Sequence, residues 1–268
     1  MLNYQNTEFK SLEELRETTP SIFTKTSSKT TSDKYTHIPT DTVIRDLELL
    51  GWGVVYAKEV KARKETTKGF QKHLIVFRNP DVVIDGADGD TVFPSILVTN
   101  SHDGKNSFKF QASIFRMICE NGLVVSDKDF EAFSIRHMNY DFEELQFNIK
   151  ELIKRLPLTV ESMNKMTNTQ LTEDSILEMA NKMLEIRIDG SKNTLTQTSI
   201  SQILNPQRLE DKGNNVWVTF NIIQENIMEG NFNYLTPSGK VRQARPIKNF
   251  KQDMDLNKKM WEVAESYC

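Results

Sequence analysis

The chain has 268 residues, 38% hydrophobic and 26% charged, with 34 Lys and Arg against 37 Asp and Glu. This excludes a disordered chain and a strongly basic nucleic-acid packaging protein, and it leaves ample length for a buried core. No stretch approaches the roughly 20 apolar residues of a membrane span, and the start MLNYQNTEFKSLEEL lacks the basic and apolar regions of a signal peptide.

Residues 1–38 are rich in Ser, Thr and Lys and read as a flexible N-terminal arm after a short helix at 11–17. The expected folded part is a single α+β domain over 39–268, strand-rich over 39–140 and helix-rich over 141–268. Thr40 is a fair N-cap for a helix carrying Val43, Ile44, Leu47 and Leu50 on one face, and Gly51 stops it. Two strand-like runs, 52–63 and 70–78, flank the turn ETTKG and predict a long hairpin. Residues 80–91 form an acidic loop whose spacing does not match the twelve-residue calcium loop. FPSILVTN at 93–100 is a strand and SHDGKN a turn. SFKFQASIFRMICEN then passes from a short strand into a helix stopped at Asn121-Gly122.

FEAFSIRHM at 130–138 alternates as a strand does. From Asp141 the apolar spacing becomes helical, with Pro157 expected to kink or break the first helix. Further helices are expected from near Thr172, over 197–204, over NNVWVTFNIIQENIMEG up to Gly230, and over 253–266. Residues 230–250 read as a loop. It is basic, with no acidic residue between Glu229 and Asp253.

Two groups of residues carry the functional expectations. The first is cationic: Lys58, Lys61, Arg63, Lys64, Lys68 and Lys72 on the hairpin, with Lys240, Arg242, Arg245 and Lys248 in the later loop. Alternation puts positive charge on both faces of the hairpin, which suits a phosphate backbone and equally suits a solvated edge strand. Trp52, Phe70 and Tyr234 are the aromatics placed to stack on bases. The second group is the turn and its surroundings: Asn100, His102, Asp103, Gly104, Arg116, Asn121, Gly122 and His137. Asp103-Gly104 reads as a tight-turn pair, with His102 bonded to backbone. Arg116 and Cys119, three apart on the expected helix, share a face, and Cys119 reads as a small buried apolar residue. The histidines have neither the i,i+4 nor the His-x-His spacing of a metal site, and Cys119 and Cys268 are too few for a cysteine zinc site or a disulfide framework. No phosphate-binding glycine loop or Gly-x-Ser-x-Gly elbow occurs. No cofactor and no metal are expected.

Read together, NSHDGKNSFKFQASIFRMICENGLVV, FSIRHMN, NNVWVTFNIIQENIMEG and ARPIKNFKQDMDLNKKMWEVA resemble, in that order, the large family of phage- and plasmid-like proteins of unknown function. The matching positions are Asn100 to Gly104, Phe115 to Leu123, Arg136-His137, Glu225 to Gly230 and Leu256 to Trp261. Glu229-Gly230 stands where the family often has Gly-Gly. The resemblance implies a product of mobile elements that works on DNA or on host defence; the host-cell cytoplasm is the location expected by default for a start without a signal peptide. DLELLGWGVVYAKEVKARK is also similar to the opening of ring-forming single-strand annealing proteins, an analogy of element order. The leading expectation is a non-enzymatic protein that binds nucleic acid, single-stranded DNA foremost, and forms a homo-oligomer. The alternatives are an inhibitor of a host defence protein acting by direct contact, and an enzyme using His102, Asp103 and His137.

Overall fold

The computed structural model describes residues 8–33, 35–62, 64–82, 84–85, 91–106, 108–116, 122–123, 141–189, 191–208 and 211–268. Strands occupy the N-terminal half and helices the C-terminal half, so the fold is α+β. The chain divides into two compact units: the first, running to Leu156, holds nearly all of the sheet, and the second includes Pro157–Cys268.

In the first unit, α1 (Leu12–Thr18) starts with a reciprocal cap. Glu14 N donates to Ser11 Oγ at 3.2 Å, and Ser11 N donates to the Glu14 carboxylate at 2.7 Å, which satisfies two amides that a helix start leaves open. A 3-10 turn follows at Pro20–Phe23. Where composition suggests a mobile arm, residues 8–33 and 35–38 fold against the sheet. Leu15, Ile22 and Ile38 are fully buried in the same core as Trp52, Ile75, Phe77, Ile96 and Val98. A few well-spaced apolar side chains suffice to dock a Ser/Thr-rich stretch, and an average over composition hides them. Next comes α2 (Thr40–Leu49), with Val43, Ile44 and Leu47 buried. Its N-cap is Pro39, so the Thr40 hydroxyl is free for the use described below. Gly51, at φ +83°, turns the chain into the sheet.

The strands are β1 (Gly53–Glu59), β2 (His73–Arg78), β3 (Ile84–Asp85), β4 (Thr91–Asn100), β5 (Lys109–Arg116) and β6 (Gly122–Leu123). They form one sheet in the order β1-β2-β4-β5-β6, with β3 also paired to β4. The β1–β2, β2–β4, β3–β4 and β4–β5 pairs are antiparallel. The expected hairpin is present but shorter. Its strands stop at Glu59 and His73; beyond them Val60 N donates to Lys72 O at 2.8 Å, and Glu65–Thr67 form a 3-10 turn. Arg116 ends a strand, not a helix, and Gly122 opens β6 rather than capping a helix. The Phe110, Ala112, Ile114 alternation thus extends further than the helical reading allows. Cys119, Asn121 and the 130–138 strand expectation lie outside the described residues.

The helices are α3 (Phe142–Asn168), which runs through Pro157 without ending there, α4 (Glu173–Ile188), α5 (Gln197–Ile203), α6 (Val216–Glu229) and α7 (Phe250–Glu265). In the second unit α6 is buried all round, from Val216 to Met228, not on one face alone. Such a helix is the centre of its unit. Trp217, Phe220 and Trp261 of α7 form an aromatic group with centroids 5.8–6.4 Å apart. After α6 the stretch read as a loop contains a second hairpin, β7 (Asn233–Leu235) and β8 (Val241–Gln243).

Candidate functional site

Strand periodicity builds the first constellation. Side chains two apart share a face, so His73 continues the buried row of Phe77 and Ile75, and Asn100 continues that of Ile96 and Val98. His73 and Asn100 are paired in register, so the apolar face of the sheet ends in a polar pair. The first residue of α2 lies against them. Thr40 Oγ1 is 2.9 Å from His73 Nε2 and 3.5 Å from His102 Nε2, and it accepts from Asn100 Nδ2 at 2.9 Å. His73 Nδ1 is 3.0 Å from Ser21 Oγ and 3.2 Å from the Gln71 carbonyl. A carbonyl only accepts, so the hydrogen sits on Nδ1 and Nε2 accepts from the Thr40 hydroxyl. The His37 and His73 rings flank His102, with centroids 4.5 and 5.3 Å away.

This knot ties three segments together. Ser28 N donates to His102 O at 2.8 Å, Tyr35 donates to Ser101 O at 3.0 Å, and His102 N donates to Phe70 O at 3.2 Å. The Thr24 hydroxyl donates to Gly69 O, and Lys25 forms an ion pair with the buried Asp41. Asp103 bonds within the turn. Its Oδ1 accepts from Ser101 Oγ at 2.8 Å and Lys105 N at 3.1 Å, and Gly104 follows at φ +73°. That is an Asx turn, in which the carboxylate shapes the loop. Burial pushes the His73 imidazole down to about 4, and burial beside Asp103 pushes the Tyr35 phenol up to about 12. His73, His102, Thr40 and Asn100 are all fully buried, and the His73 imidazole is bonded at both nitrogens. Among the described residues no three His, Cys, Asp or Glu side chains are arranged to hold a metal ion. His137 lies outside the described residues. Sequence reading misses His37, His73 and Thr40 as partners of His102; strand register places His73, and the docking of the segment before α2 places His37 and Thr40.

The cationic residues are elsewhere. Lys58, Lys61, Lys64 and Lys68 are exposed on the first hairpin and its loop, and Lys72 is half-buried. Lys68 pairs with Glu65 at 3.2 Å. Arg63 lies outside the described residues. Glu59 turns inward, accepting from Ser21 N at 2.9 Å and Gln71 Nε2 at 3.1 Å. In the second unit Lys240, Arg242, Arg245 and Lys248 are exposed along β8 and the stretch after it. Arg187 of α4, not singled out by the sequence, donates to Arg245 O at 2.9 Å. Of the aromatic candidates, Trp52 belongs to the core, while Phe70 and Tyr234 are half-buried.

The remaining motifs hold the second unit together. Glu225 on α6 takes a two-pronged bond from Arg208, 3.0 Å from Nε and 2.8 Å from Nη2. Asn226 donates to Ile203 O and Asn205 O at 3.0 and 2.9 Å, and Asn231 donates to its side-chain oxygen. Gln224 donates to Asn257 of α7 at 2.9 Å. A cavity of about 490 Å³ lies between the end of α4 and the start of α7. Its walls carry Arg187 and Lys259, and also Asp189 and Asp255.

An antiparallel sheet ending in a His-Asn-Thr knot and a helical unit built around α6 define an α+β protein. The family model described as "Domain of unknown function (DUF932)" matches residues 28–261, and the chain belongs to that family. It is similar to the UPF0380 proteins YafZ and YfjQ of Escherichia coli (strain K12), each 27% identical over 254 residues that span 95% of this chain and 90% of the relative. No solved structure matches the chain, and the likeness to annealing proteins is carried no further. No helix among the described residues is long and apolar enough to cross a membrane.

Proposed function

We propose that the chain binds nucleic acid, single-stranded DNA foremost, without catalysis, through the loop around Lys58, Lys61, Lys64, Lys68 and Lys72 and through Lys240, Arg242, Arg245 and Lys248. The observation that carries this reading is electrostatic. Lys58, Lys61, Lys64, Lys240, Arg242, Arg245 and Lys248 are exposed, and none forms an ion pair with a described residue. Unpaired cations clustered on two short stretches of a slightly acidic chain lower the local potential barrier to a polyanion and release counterions when phosphates replace them. The histidine turn supports the reading indirectly. His102 N and the Thr24 hydroxyl hold Phe70 O and Gly69 O, so the knot fixes the base of the cationic loop.

The test is fluorescence polarisation of a labelled oligonucleotide at low salt, with two charge-removal variants. One carries Lys58, Lys61 and Lys64→Gln, the other Arg242, Arg245 and Lys248→Gln. Both are expected to weaken binding, each lowering the salt slope for a single strand by roughly 2. Undiminished binding in both variants contradicts the reading.

A further inference from the structure

We propose that one face of the second hairpin, formed by Tyr234 and Arg242, is a stacking station for a single-stranded base. This rests on the nucleic-acid reading above and names the strand state that the site takes. Tyr234 and Arg242 are directly opposite in the β7–β8 register, whereas Asn233–Gln243 and Leu235–Val241 are the flanking pairs. Opposed residues of an antiparallel pair share a face, with Cβ atoms about 5 Å apart. The face therefore presents one aromatic ring beside one guanidinium. Arg242 is exposed and Tyr234 is half-buried, in contrast to Phe232, Trp217 and Trp261, which are consumed by the core.

The hairpin is held on both flanks. Thr194 and Leu235 exchange backbone bonds at 2.8 and 2.9 Å, Ala244 N donates to Phe232 O at 2.8 Å, and Ile247 N donates to Met228 O at 2.8 Å. Arg187, a positioning residue here, fixes the Arg245 carbonyl and lies within electrostatic reach of the Tyr234 phenol. A platform fixed before binding loses little entropy when a base lands on it. Lys240, Arg245 and Lys248 supply charge complementary to the flanking phosphates. A tyrosine ring and an arginine plane grip any exposed base face without reading its edge, and a duplex hides those faces within its stack.

The full chain is titrated against labelled oligo-dT, a duplex of equal length and heparin. Tyr234→Ala is expected to weaken oligo-dT binding on the order of tenfold while heparin binding is unchanged, and Tyr234→Phe to bind oligo-dT as the parent does. Arg242→Gln, on an exposed side chain, serves where Tyr234→Ala does not fold, and is expected to weaken oligo-dT more than heparin. Equal losses on oligo-dT and heparin in a folded variant, or no loss on oligo-dT, overturn the station and leave the polyanion reading standing. A parent chain that binds none of the three overturns both.

Discussion

His73 shows how one position sets a pH response. Its imidazole is buried and held at about 4, below the ordinary value of 6.5. Between those values the unfolded chain binds more protons than the folded one. Stability from this group is therefore complete above pH 6.5 and is lost as pH falls through 6.5 toward 4. From pH 7 to pH 5 the expected loss is on the order of 2 kcal/mol. Amide exchange in β2 at the two pH values reads it, and His73→Asn should flatten the dependence. An unchanged dependence in that variant contradicts the assignment. Gly230 is constrained twice. Its φ is +74°, and a Cβ there would lie 2.7 Å from Ala244 O. Gly230→Ala is expected to cost about 1–3 kcal/mol, seen as a lower melting temperature of the second unit. An unaltered melt would show that the turn relaxes without loss.

At the scale of elements, α6 is the beam of the second unit, and its polar residues anchor neighbours rather than face water. Asn226→Ala leaves the Ile203 and Asn205 carbonyls without their donor, an expected loss of about 1–3 kcal/mol in chemical unfolding. A silent Asn226→Ala would mean that water replaces the amide. Elements with a full amphipathic period or a clear cap were legible in the sequence: α1 behind Ser11, α2 before Gly51, α4 behind Thr172, and α6 up to Gly230. The β7–β8 hairpin was not, because three-residue strands carry too few alternations to register. β5 is not legible beyond Phe110, because a run such as ASIFR fits a buried strand and a buried helix equally well. The knot was half legible. His102 and Asp103 stand out in the turn, but His37, His73 and Thr40 reach them only through register and the docking of residues 21–41, which no local spacing encodes.

For the whole molecule, the proposed function rests on what the scaffold leaves outside. Asn100 to Gly104, Glu225-Asn226 and Leu256 to Trp261 are largely spent on internal bonds and packing. Lys58, Lys61 and Lys64 of the first unit and Lys240, Arg242, Arg245 and Lys248 of the second are exposed cations that form no ion pair with a described residue. The central claim, that these cations engage nucleic-acid phosphates, is tested most directly by the salt dependence of oligo-dT binding to the full chain. The account predicts that log K falls linearly with log salt, with a slope of about −2 to −5 for three to seven neutralised phosphates. A slope near zero, or no binding at low salt, contradicts it.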